Sequence, residues 1–173
     1  MESDLDEAWG PGESIRRAIA DLSLSSESII ELAPNEASTV IESIERKFLI
    51  PGNEWWWERL TIGMSFWFSD PEWTGFIAIP YLCPDSPAWF LPVYNDEGEV
   101  FRARPKVIAK VLEHTRDDEY AIVDTNLEWI VIENHHNVLF GSGEPVVSRL
   151  SEWLQRAGSN GGAFDRRETT PDK

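Results

Sequence analysis

The run from Tyr120 to Asn134 restricts this chain more than any other stretch. Residues 120–124 and 129–134 are β-branched and aromatic, and Thr125-Asn126-Leu127-Glu128 separates them with turn chemistry. That pattern reads as two adjacent antiparallel strands. The second strand ends in Glu133-Asn134-His135-His136, where ionisable and metal-capable side chains cluster. A candidate site therefore lies at the end of a strand.

The flanking sequence supplies the rest of a fold. Ile15, Ala18, Ile19 and Leu22 recur at helical spacing over residues 13–22. After Pro34, with Asn35 as the expected N-cap, Ala37, Val40, Ile41, Ile44 and Phe48 form a second stripe that Pro51-Gly52 stops. From Trp55 the period shortens. Residues 60–68, 75–82 and 89–94 read as strands separated by Asp70-Pro71, Pro84-Asp85 and Asn95-Asp96-Glu97-Gly98, the last turn returning the chain through Val100 to Arg102 as a hairpin. Pro105 opens a helix carrying Val107, Ile108, Val111 and Leu112 on one face. A short strand at 138–140 precedes a closing helix with Val146, Val147, Leu150, Trp153 and Leu154 as its apolar stripe. The expected class is α+β: a mostly antiparallel sheet with two N-terminal helices, one helix within the strand series and a C-terminal helix.

At 173 residues and 42% hydrophobic content the chain suits one core. We expect a flexible acidic lead-in at 1–12, a single domain at 13–156 and a disordered tail at 157–173, where Gly, Ser and Asn leave little to bury. Five acids and no Lys or Arg in residues 1–14 are unlike a signal peptide. No apolar run approaches the roughly 20 residues of a membrane helix. A cytoplasmic location is the expectation. Cys83 stands alone, which excludes an intrachain disulfide and a cysteine-based zinc cluster within one chain.

The formal charge of −16 repels phosphate backbones, so nucleic acid is not expected as a ligand and a basic protein is the natural partner. Solubility alone accounts for such a charge equally well. The excess is concentrated: residues 48–100 hold eight acids against the single Arg59. Within that region lies Trp55-Trp56-Trp57. Three successive indoles on a regular element cannot all face one core, so at least one is expected to be partly exposed, and an exposed Trp beside acids has the anchor-and-rim composition of a protein interface. The expected binding surface is Trp55, Trp56 and Trp57 with the acids Glu54, Glu58, Asp70 and Glu72 around them. The competing reading plugs two indoles into the core and lays the third over an edge.

The second-choice surface is Glu133, Asn134, His135, His136 and Asn137. His135 and His136 are neighbours on a strand and point to opposite faces, so no metal site and no cofactor are expected there. Either imidazole suits general-base chemistry. This leaves an alternative in which Glu133, His135 and His136 serve a small hydrolase or a metal-dependent enzyme. Gly141-Ser142-Gly143 lacks the third glycine and the lysine of phosphate-binding loops, and Glu144 and Pro145 oppose an anion. A third reading gives the Trp-rich surface to self-association.

Residues 119–124, the motif Trp129-x-x-x-Glu133-Asn134-His135-His136 and the following Leu139 to Gly143 resemble a group of small uncharacterised bacterial α+β proteins. The resemblance covers about the last third of the folded part. It implies a non-enzymatic protein-binding domain similar to the immunity partners of bacterial toxins, and it carries over no catalytic residue.

Overall fold

The computed structural model describes residues 11–52, 54–67, 75–93, 98–115, 119–157 and 161–167. In chain order the elements are α1 (Pro11–Asp21), β1 (Ile29–Glu31), α2 (Pro34–Phe48), α3 (Trp56–Arg59), β2 (Ile62–Trp67), α4 (Gly75–Leu82) and β3 (Ala88–Pro92). They continue with β4 (Phe101–Ala103), α5 (Pro105–Thr115), β5 (Tyr120–Asp124), β6 (Ile130–Asn134), β7 (Val138–Ser142), α6 (Val146–Ala157) and β8 (Gly161–Asp165). The strands form one sheet in the order β1-β4-β3-β5-β6-β7-β2-β8, and every adjacent pair is antiparallel. The chain is α+β, as its patterning indicates.

Both faces of this sheet are covered, which explains why β5 and β6 are apolar along most of their length rather than alternating. All five residues of each strand are buried. Alternation instead divides them between two cores. Tyr120, Ile122, Trp129 and Val131 join Ile15 and Ala18 of α1, Ala78, Ile79 and Leu82 of α4, Ile108 and Leu112 of α5, and Leu150 of α6. Ala121, Val123, Ile130 and Ile132 join Ala37, Ile44 and Phe48 of α2 and Trp57 of α3. Of the described helices, α1, α4, α5 and α6 thus lie on one face, and α2 and α3 on the other.

Several expectations need correction. Residues 75–82 form a helix, not a strand. Ala78, Ile79 and Leu82 are fully buried, and only their helical spacing puts all three on one side against α5. The N-cap of α2 is Ala33, in extended conformation, and Asn35 lies inside the first turn. Pro34 takes the first helical position, where its fixed φ and missing N–H suit the helix. Beyond α6, the stretch expected to be disordered supplies β8, which pairs with β2 from Ile62↔Asp165 to Phe66↔Gly161. The missing side chain at Gly161 lets this backbone lie close against β2, since a Cβ there would run into the Ser65 carbonyl. Phe164 packs on Phe140. The domain therefore extends past residue 156. Of the lead-in expected at 1–12, Pro11 and Gly12 already belong to α1, and residues 1–10, like 94–97 and 168–173, lie outside the described residues. No helix among the described residues is long and apolar enough to cross a membrane.

Candidate functional site

Trp56 and Trp57 diverge as successive helical positions require, while Trp55 precedes the helix and turns its ring back onto Trp57. Trp57 is buried among Phe48, Leu60, Ile130 and Ile132, and Trp56 is half-buried at the margin of the same cluster. Trp55, in extended conformation at the N-cap of α3, is 43% exposed. Its ring lies flat on Trp57, with centroids 5.3 Å apart and an interplanar angle of 3°. Glu54 and Glu58 are exposed beside it. Asp70 and Glu72, the other acids expected at this rim, lie outside the described residues.

α3 is a single turn and is held mainly by backbone carbonyls. The Arg59 Nε donates to the Ile50 carbonyl at 2.8 Å, and the Thr61 hydroxyl donates to the Phe48 carbonyl at 3.0 Å. Immediately after β8, Arg166 donates to the carbonyl of Trp57 and covers Phe164, its guanidinium 4.5 Å from that ring centre.

The β6–β7 turn is built by two asparagines. Asn134 Oδ1 accepts the N–H groups of His136 and Val138, each at 3.1 Å. Asn137 takes the left-handed conformation (φ 56°) that a tight turn needs and Asn tolerates. Asn134 and Asn137 thus have structural duties. The turn they close leaves His135 and His136 exposed and beyond the end of β6, so the two rings do not point to opposite faces as strand neighbours would but lie with centroids 3.9 Å apart.

His135 is tied to Glu119, the residue before β5. Glu119 Oε1 meets His135 Nδ1 and accepts the His135 backbone N–H at 3.2 Å. The Glu119 side chain is only 5% exposed, yet its Oε2 has no hydrogen-bond partner among the described residues. The His135 ring meets Trp57 edge-on, with centroids 6.0 Å apart and planes at 80°. Trp55, Trp57, His135 and His136 therefore form one continuous row of rings. Parts of the two surfaces that the sequence suggests separately are thus contiguous, Trp55 and Trp57 of the one with His135 and His136 of the other.

Glu133 does not belong to it. Register pairs Glu133 with Tyr120, and the Tyr120 hydroxyl donates to Glu133 Oε2 in the core on the opposite face of the sheet. The grouping of Glu133 with His135 and His136 as a catalytic cluster is therefore not assembled, because residue parity sends Glu133 one way and the turn sends the imidazoles the other. Burial, then the neighbouring Glu133, pushes the Tyr120 phenol well above its usual range. Cys83 lies in the same core, where burial raises its thiol far above the ordinary value. Among the described residues no group of three or more His, Cys, Asp or Glu is arranged to hold a metal ion.

Glu119 is the site residue that sequence patterning does not single out. Its signal lies in the hairpin register: with Tyr120 opposite Glu133, the preceding residue falls beside Asn134 and His135.

These features define a sheet-centred α+β domain with helices on both faces and an aromatic, imidazole-bearing patch at one strand turn. The chain belongs to a family of unknown function, DUF6756, whose model matches residues 13–154. No curated protein and no solved structure matches it.

Proposed function

We propose that this chain is a cytoplasmic, non-enzymatic protein-binding domain, of the kind that acts as an immunity partner of a basic bacterial toxin. One observation carries the reading: Trp55, nearly half exposed, is preorganised by stacking flat on the buried Trp57. A rigid aromatic that reaches the surface from the core is the usual anchor of an interface, and it loses little conformational freedom on binding. Glu54 and Glu58 beside it, and the overall charge of −16, favour a basic partner and fast association.

The test is kinetic and uses a basic protein encoded beside this chain. Trp55→Ala should accelerate dissociation by roughly 30-fold, equivalent to about 2 kcal/mol. The double variant Glu54→Gln/Glu58→Gln should instead slow association and flatten its salt dependence. Equal rates for all three proteins would remove the reading.

A second reading has one observation in its favour. A carboxylate on His135 Nδ1 fixes the imidazole tautomer and leaves Nε2 for proton transfer, the arrangement of a general base. Hydrolysis of simple ester substrates that vanishes in His135→Ala and survives in Trp55→Ala would put this enzyme reading first.

A further inference from the structure

We propose that Glu119 is a recognition carboxylate for an arginine side chain of the partner, which enters beside Trp57 and takes the place now held by the His135 ring. The inference rests on the protein-binding reading and names what that surface recognises.

The argument begins with an imbalance. A buried carboxylate normally has both oxygens satisfied, and a half-satisfied one is a costly arrangement that calls for an explanation. At Glu119 both available donors, the His135 backbone N–H and the His135 ring Nδ1, converge on Oε1. Oε2 is also buried and receives nothing among the described residues. An imidazole offers one N–H in this direction and cannot supply a second. A guanidinium presents two parallel N–H groups in a planar fork that matches the two oxygens of a carboxylate. Lysine, a point donor without that fork, would leave the same oxygen unpaired.

The surroundings suit the same ligand. His135 is 44% exposed at its side chain, and the Asn134 turn bonds to the backbone of His136 and Val138 do not involve its ring. The ring can swing to solvent without dismantling the turn. It now stands edge-on against Trp57, so a planar cation replacing it would lie against an indole that is itself stacked with Trp55. The Glu119 Oε1 bond to the His135 backbone N–H survives the exchange, and the guanidinium adds one N–H to each oxygen.

The experiment uses the full chain and a capped tripeptide, acetyl-Gly-Arg-Gly-amide, followed by tryptophan fluorescence and by the His135 ring resonances. Saturable binding with a moved His135 signal is expected. The citrulline peptide, of equal shape without charge, and the lysine peptide should each bind at least about tenfold more weakly. Glu119→Gln should weaken the arginine peptide by a similar factor. His135→Ala should strengthen it, since the competing ring is gone; this second variant guards against loss of folding in the first. Equal affinity for the arginine and citrulline peptides, an arginine affinity unchanged by Glu119→Gln in a folded protein, or weaker binding in His135→Ala would each overturn the proposal. Should Trp55→Ala still accelerate dissociation of the protein partner while the peptide results fail, the interface stands and the arginine pocket falls.

Discussion

Arg166, just past β8, donates a guanidinium N–H to the backbone carbonyl of Trp57, so the last described stretch of the chain is fastened to the helix that carries the stacked indoles. The backbone N–H of Arg166 also donates to the Thr61 carbonyl at 2.7 Å, which closes the same joint from the main-chain side.

Ending the chain after Ala157 therefore removes a paired strand and this fastening together. We expect the thermal midpoint to fall by at least about 5 °C, since about 1 kcal/mol corresponds to roughly 2–4 °C in a domain of this size. Arg166→Ala alone should give a smaller drop. A scanning calorimetry trace unchanged by the truncation would mean that β8 contributes nothing to stability.

The stacked indoles should separate in their effects on folding. Trp57→Ala opens a cavity between α2, α3 and β6 and is expected to lower stability by about 3–5 kcal/mol. Trp55→Ala loses a surface stack, with an expected loss of about 0.5–1.5 kcal/mol. Urea denaturation of both variants measures the contrast, and equal losses would place Trp55 in the core rather than over it.

Tyr120→Phe removes the hydroxyl that donates to Glu133 in the core. Near neutral pH the expected loss is about 1–3 kcal/mol. The pH dependence carries a definite sign. The phenol titrates near 10 when unfolded and higher when folded, so its contribution is intact below about pH 10 and declines as pH rises toward the folded value. Tyr120→Phe should flatten the alkaline loss of stability. An alkaline slope identical to that of the unsubstituted chain would show that the phenol is not held neutral by its site.

Cys83 is 3% exposed, and its thiol is held protonated by burial. A thiol-specific reagent at neutral pH should label it only at the rate of unfolding, and at once in denaturant. Rapid labelling of the folded protein would show that the α4 end opens readily.

Regular periodicity makes most of the frame legible in the amino-acid sequence. The stripes through α1, α2, α5 and α6 and the hairpin of β5 and β6 all follow from spacing alone. α4 defeats that kind of reading because Gly75 to Leu82 is apolar throughout, and such a run carries no period to distinguish helix from strand. β8 escapes it for the opposite reason: Gly161-Gly162-Ala163 has almost no side chain to advertise a strand, and only the waiting edge of β2 gives it one. At the site, the divergence of Trp56 from Trp57 follows from helical geometry, whereas the stacking of Trp55 on Trp57 depends on the extended N-cap, and the pairing of His135 with Glu119 instead of Glu133 depends on register across the hairpin.

The position of β2 also sets an order of events. β2 is followed by α4, β3, β4, α5, β5 and β6 before its first partner, β7, appears in the chain, and its second partner, β8, comes later still. During synthesis Ile62–Trp67 therefore waits unpaired while more than half of the sheet is already available to form, and its closure spans a long sequence separation of the sort that slows folding. The aromatic turn of α3, immediately ahead of β2, packs against β6, yet it gains its Arg166 fastening only when the last strand has left the ribosome. A nascent chain stalled before β7 would expose both edges of β2 with neither of its partner strands present.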